Sequence, residues 1–592
     1  MKKNLRQHTS VVRKKSLFNL TQMVFLGLFL ALGTTNATRA QSPTFVEEPT
    51  HSQIYEQGQS KKDILQKKQR LQNLQRQLEQ SSLRAGNEKR SFYQDGLRWE
   101  ITDEAKKEVT LIRLLKDDED TGAYNGTPVI PSAITFEGNS YTVTGIGRLC
   151  FLGRKITAVT LPETLKNIAP MAFAYTGITE IHIPDLVEFV GESAFENCSK
   201  ALRLYIGKNV REVGKNAFLE CWYLKEITLG EDNPIFSLRD GILYNKNQTE
   251  VLQCPPYRKE VNLLTLPKTV KKIAPHAFEY CFYFKEINLN EGVQEIGQRA
   301  FFQVFWLQKL HIPASVEKIE DGSAFSYLKG CTSLTVDAAN KHYKSVDNRL
   351  YDISGETLIV HPYGAPDSAT VNIPEGTKRI GAHAFEYCRP VKVINLPQSV
   401  AQLGECAFSE CGIASLSLPE KIKELPSFLF LSCPNLKFLY LGGEVQTIGM
   451  YSLTDCKQLA HIQLKAKTPP TFAPDKDGDP TELPEKYKET GLLEVLPECV
   501  EAYKKAEEWK LIQKIVGNKN LSINETSSLK KPEITISGQT LSIHTSSPSS
   551  ITLYTLLGEQ VAQTMDNMWT IKLEQGTYLL NIGGEAHKIQ IR

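Results

Sequence analysis

The sequence predicts a mainly-β chain: a solenoid of coils about 23 residues long with β-hairpin insertions, then a small β-sandwich. Three observations lead there. The phrase apolar-x-x-apolar-x-apolar-Pro, Ile-Gly, Ala-Phe-x-x-Cys recurs, with its Phe or stand-in at 151, 173, 195, 218, 278, 301, 325, 385, 408, 430 and 453. Two of the intervals are 60 residues instead of 22–24, and both longer stretches carry the same extra sequence. From residue 532 the pattern changes to alternating apolar runs separated by glycines. A repeat this short cannot bury its apolar face alone, so neighbouring copies must stack on one continuous core.

Residues 1–40 are expected to be a secretory signal. Lys2, Lys3, Arg6, Arg13, Lys14 and Lys15 precede a short apolar run, Met23 to Gly33, and small residues lead to a cut after Ala40. That run is too short to span a bilayer. Residues 41–95 are polar, with Ile64, Leu71 and Leu78 seven apart over 61–83. They fit one amphipathic helix that caps or spaces the solenoid, or a coiled-coil dimer with few heptads. Residues 96–150 read as a β-rich cap, because alternating strands are separated by turns such as Asn125-Gly126 and Gly138-Asn139.

The solenoid proper is expected over 151–465. In each coil, Leu/Ile-x-x-Ile-x-Leu is a short strand that proline ends. Ile-Gly then makes a corner, and Ala-Phe packs toward the axis. In the two insertions, Asp240-Gly241-Ile242-Leu243-Tyr244 matches Asp347-Asn348-Arg349-Leu350-Tyr351, which predicts hairpins standing on the solenoid's rim. Residues 466–517 should close the core with a helix from Glu498 to Val516, on the stripe Val500, Tyr503, Ala506, Trp509 and Ile512. A polar linker, 518–531, leads to the β-sandwich at 532–592.

Seven of the twelve cysteines stand three residues after the repeat Phe or its stand-in. One per coil at a fixed position is what a small buried hydrophobe looks like. Stacked parallel side chains also suit disulfides poorly, so free thiols are expected. No CxxC or Cys/His cluster with ligand spacing points to a metal, and no motif calls for a cofactor. The formal charge is +2, and residues 1–40 hold seven Lys or Arg and no acid, so their removal leaves −5. Nothing in that balance favours nucleic acid or an anionic membrane.

By the two-residue period of a strand, one column of outward residues runs from Thr160 to Gln463 without a charge. The candidate ligand-binding residues on this face and the column beside it are His182, Tyr205, His311, Val393, Phe438, Tyr440 and His461. The last coils are the most apolar, and exposed aromatic residues there suit a protein or glycan contact. Catalysis on polysaccharide would need paired carboxylates or a nucleophile with an oriented base. The column holds none, and the repeat-related His276 and His383 have no evident acid. The chain is therefore not expected to be an enzyme.

The repeat, as in Val159-Thr160-Leu161-Pro162 through Ala172-Phe173, resembles the BspA-like leucine-rich repeats of bacteria over residues 96–517. The stretch Leu553-Tyr554…Gly558…Val561…Gly576-Thr577-Tyr578-Leu579 is similar to the C-terminal sorting domain of type IX secretion in Bacteroidetes, although Glu559 stands where that family often has a basic residue. The resemblance implies a right-handed leucine-rich-repeat solenoid. It also implies export through residues 532–592 by the type IX machinery, removal of that module, and secretion or display at the outer cell surface. It further implies an adhesin-like role toward host or bacterial protein or glycan ligands. A monomer without an integral membrane segment is expected. The alternatives are a structural spacer or a polysaccharide-acting β-helix enzyme.

Overall fold

Each Leu/Ile-x-x-Ile-x-Leu segment becomes a strand of three or four residues because its alternate side chains have a core to fill and its backbone has a copy to pair with. The computed structural model describes residues 90–113, 124–258, 262–365, 369–474, 483–522, 533–544, 551–555, 560–564, 568–582 and 585–591. All of these belong to one compact unit, Ser60–Arg592. The expected signal at 1–40 and the 61–83 helix or coiled coil lie outside the described residues.

Successive coils pair parallel and in register. Ile181 sits opposite Leu204, and Leu204 opposite Ile227. A second parallel ladder is built of two-residue strands, such as Asn167–Ile168, Phe189–Val190 and Glu212–Val213. Between the ladders the Ala-Phe turn makes its own bonds: the N–H of Phe151 donates to the carbonyl of Ala172, and that of Phe173 to Ala194. The Phe rings stack through the core at 5.1 Å between Phe151, Phe173 and Phe195, and at 5.4–6.0 Å from Phe278 to Phe325. Burying each ring contributes roughly 1.5–3 kcal/mol.

The turn forces the residue two before the Phe into the left-handed region, with φ of 56° at Met171, 63° at His276 and 57° at Cys406. An L-residue accepts about 1–2 kcal/mol of strain there, tolerable only because the same turn is repeated and packed. The glycine of Ile-Gly has another role. A Cβ on Gly404 would lie 2.2 Å from the backbone N of Ala382 in the preceding coil, so close stacking, more than the corner itself, requires glycine.

All twelve cysteines are free and buried. The thiols of Cys198, Cys433 and Cys456 donate to the carbonyls of Phe173, Phe408 and Phe430 in the preceding coil, at 3.3, 3.0 and 3.0 Å. Sulfur thus fills the space of a small hydrophobe and also satisfies a buried carbonyl.

The insertions are more than rim hairpins. Phe236–Arg239, Ile242–Asn245 and Glu250–Gln253 form an antiparallel meander whose last strand pairs parallel with Lys272–Ile273. Tyr343–Val346, Arg349–Asp352 and Thr357–Val360 repeat it, ending on Arg379–Ile380. Each insertion therefore supplies the missing rung of the second ladder. The C-terminal cap also departs from expectation. The helix covers only Val500–Lys505, and the chain then turns into a strand, Lys514–Gly517. That strand and Leu492–Val495 extend the first ladder by two rungs. Trp509 lies on this turn and donates from Nε1 to the carbonyl of Pro470 at 2.8 Å, while Tyr503 donates to Ala466. Anchoring both polar tips to the last coils outweighs continuing the helix.

At the N-terminus, Glu108–Ile112 and Asn139–Ile146 pair parallel, and the latter pairs with Asn167–Ile168 to start the second ladder. The described residues within 533–591 form a three-stranded and a four-stranded sheet around Leu541, Ile543, Ile551, Leu553, Leu580, Ile582, Ile589 and Ile591. The strand Gln560–Thr564 lacks the apolar alternation that revealed the others.

Candidate binding face

Along Glu180–Ile183 the burial alternates as the period of two requires: Glu180 and His182 are exposed, Ile181 and Ile183 buried. His182 stacks on the Tyr205 ring of the next coil, 4.6 Å between centroids. The Tyr205 hydroxyl donates to Asp185 at 2.8 Å. Asp185 also accepts from the Lys208 N–H, and these two bonds, the backbone one first, hold its carboxyl below the usual range. Partial burial and the Asp185 carboxylate push the Tyr205 phenol up to about 12. Arg203 pairs with Glu180 beside this stack. His311 is also exposed, five coils on from His182, with Nδ1 3.0 Å from the Thr335 hydroxyl and Nε2 4.0 Å from Asp337.

The last coils contradict the expectation of exposed aromatics. Val393, Phe438 and Tyr440 are only 4%, 8% and 8% exposed. Phe438 meets His461 edge-on at 5.0 Å and lies 6.2 Å from the ring of Tyr554. Tyr554 belongs to the C-terminal module. In its strand Ile551 and Leu553 face the module's core, so Thr552 and Tyr554 point out of the opposite face. Thr552 is nevertheless 8% exposed, and Leu579, paired with Tyr554, is 9% exposed. A sheet buried on its outer side is packed against something, and the Phe438–Tyr554 contact identifies the solenoid's last strands as that surface.

Two acids missed in the sequence frame this end. The Tyr440 hydroxyl donates to Glu420, which also accepts from the Gly443 N–H at 2.9 Å and from Lys465 at 3.3 Å. Burial pushes the Glu420 carboxyl up, but these donors outweigh it and hold it below its usual value. Glu494 accepts from Gln463 at 2.7 Å and Asn518 at 2.8 Å, and lies 3.3 Å from His461 Nε2. In register it continues the Gln463 column, so the face is not free of charge once the two added rungs are counted. Asp185 and Glu420 share a signal in the sequence: each follows the strand-ending proline and reaches a tyrosine 20 residues later.

The repeat-related histidines do have acids. His276 Nδ1 lies 2.6 Å from Glu279, and His383 Nδ1 lies 3.0 Å from Glu386. Both pairs sit in the Phe turns, not on the strand face. Among the described residues, one group of three metal-capable donors occurs, His383, Glu386 and Cys406. Also among them, no helix is long and apolar enough to cross a membrane.

Residues 132–251, 257–351 and 363–469 match the BspA-type leucine-rich repeat region family in six copies, more than half of the chain. No curated protein matches the chain. Among solved structures, the chain is similar to a leucine-rich cell surface protein from Faecalibacterium prausnitzii, at 22% identity and a TM-score of 0.37, over 74% of this chain and 98% of that one. It is also similar to the pneumococcal vaccine antigen PcpA, at 15% identity and a TM-score of 0.34, over 73% and 99%. A leucine-rich repeat protein from Eubacterium ventriosum gives 17% and 0.35, over 72% and 91%. On its repeats, the chain belongs to the BspA-type leucine-rich repeat family.

Proposed function

We propose that the protein is a secreted, surface-displayed binder that holds an extracellular protein or glycan on the outward face of its strand ladder and does not turn it over. The observation that carries this reading is the His182–Tyr205 stack, an aromatic pair held in place by Asp185 and open to solvent on one side. A fixed aromatic with a satisfied hydroxyl gives contact area with little ordering cost. The resemblance of residues 532–592 to a sorting domain supports export and removal of that module. Its seat on Phe438 means that removal uncovers that ring and the edge of His461 packed against it. Two stages of display follow: the His182–Tyr205 end is open at once, and the apolar end opens when the module leaves.

The test is surface plasmon resonance of the full chain over matrix proteins, bacterial surface proteins and immobilised glycans. Tyr205→Ala should weaken a specific ligand by about tenfold or more. If every attachment survives Tyr205→Ala and His182→Ala, the chain is a spacer. Hydrolysis of a bound glycan or peptide would remove the binder reading.

A further inference from the structure

We propose that His383, Glu386 and Cys406 form a binding site for a divalent cation of the zinc type. His383 opens one Phe turn and Glu386 lies three residues on. Cys406 occupies the position of His383 in the next coil, and both take left-handed backbone, φ 61° and 57°. One donor atom from each lies within 4.8 Å of the other two. The residues are 7%, 3% and 0% exposed. Zinc takes imidazole and carboxylate donors at about 2.0–2.2 Å and thiolate at about 2.3 Å. Donors around it therefore sit roughly 3.3–3.8 Å apart, and a small inward shift of these side chains reaches that spacing.

The same turn in the preceding block shows what the position otherwise does. There His276 and Glu279 match His383 and Glu386, and Arg299 stands where Cys406 stands. The Arg299 guanidinium binds Glu279 Oε1 through Nη2 at 2.7 Å and Nε at 2.9 Å. A fixed cation thus balances a buried carboxylate. In the later block the position brings a ligand atom in place of a charge, and no other coil has a cysteine two residues before its Phe. A carboxylate and a thiolate together carry two negative charges, which a dication neutralises. The mixed N, O and S set suits a borderline-soft metal and disfavours magnesium and calcium, which prefer oxygen alone. On binding, the S–H bond of Cys406 breaks, a metal–sulfur bond forms, and one proton leaves to solvent. Water completes four-coordination.

The test is titration of the full chain, stripped with chelator, using Co²⁺ as probe. The expected result is one ion per chain, with a thiolate-to-cobalt band in the near ultraviolet and tetrahedral visible bands, both abolished by Zn²⁺. Zn²⁺ should also raise Tm. Cys406→Arg copies the earlier block, should keep the fold by circular dichroism, and should remove the bands. Cys406→Ser should weaken binding by about tenfold or more. X-ray absorption of the wild-type zinc form should show one sulfur among nitrogen and oxygen neighbours. No cobalt band, a band unchanged in folded Cys406→Arg, or a zinc shell without sulfur would each overturn the site.

Discussion

In the first of the two duplicated blocks, Ile242 and Cys254 belong to an apolar cluster with Phe278. In the second, displaced by 107 residues as Asp240 is from Asp347, the same positions hold Arg349 and His361. These are 4% and 2% exposed, and Arg349 Nε donates to His361 Nδ1 at 3.3 Å. The His361 ring lies on Phe385 at 5.2 Å, so it extends the aromatic stack where Cys254 cannot. The exchange at Arg299 and Cys406 runs the other way, from charge to thiol. Backbone contacts survive both exchanges: Asn233 and Asn340 each donate to two carbonyls of the coil before and accept from two N–H groups after. Stacking fixes the shape of each coil and leaves the chemistry of its buried polar groups free to vary, even where, as at His361 Nε2, a buried nitrogen is left without a partner among the described residues.

The largest expected effect breaks one such arrangement. Burial alone would raise the Glu279 carboxyl, but Arg299 and His276 outweigh it and hold it at about 2. Arg299→Ala removes the cation from a buried acid and should cost about 3–5 kcal/mol. Cys406→Ala in metal-free protein removes a small side chain and should cost about 1 kcal/mol. Urea unfolding at pH 7 compares the two directly, and equal losses would show that the turns are not electrostatically different. Because the folded pKa of Glu279 lies below the unfolded value near 4.5, its contribution is present above that pH. It is lost as pH falls toward 2.

The next effect concerns His361. Burial first, then the charge of Arg349, lowers it to about 3, so the folded protein holds it neutral. The unfolded chain takes up a proton below about 6.5. Stability should therefore fall as pH drops from about 6.5 toward 3, by up to about 1.4 kcal/mol per pH unit from this group. His361→Phe keeps a ring on Phe385 and should flatten that slope, seen as unfolding midpoints from pH 7 to 4. An unchanged slope would place a charged imidazolium at His361 in the folded state.

The differing legibility of these features has a physical cause. The coil period, the Phe stack and the buried cysteines were readable because each coil repeats one local solution, so eleven copies announce it. The Asp185–Tyr205 and Glu420–Tyr440 bonds escape a reading by columns, since they join a loop residue to the next coil's strand instead of lying in one column. His383 and Cys406 likewise meet only through stacking, at a separation that no local ligand motif uses. The end helix is shorter than its stripe predicts because Trp509 and Ile512 keep helical spacing while they pack from a turn and its exit. The burial of Phe438 was beyond reach for another reason: its cover, Tyr554, comes from a different module, and no periodicity links the two.

The smallest effect lies on the outward face. Asn395 donates to Asn372 Oδ1 at 2.6 Å, and both are exposed. In the other block Asn288 faces Thr265 in the same register. Water replaces an exposed hydrogen bond at little cost, so Asn372→Thr, which copies the first block, should change stability by less than about 0.5 kcal/mol. Thermal melts would show this, and a shift of several degrees would mean that the face helps to hold the coils together. If stability is unchanged but a ligand found for the full chain binds at least tenfold more weakly, Asn372 belongs to its footprint. The face can then vary at such positions without disturbing the coil beneath, because the stacking contacts that hold the coil lie on its buried side.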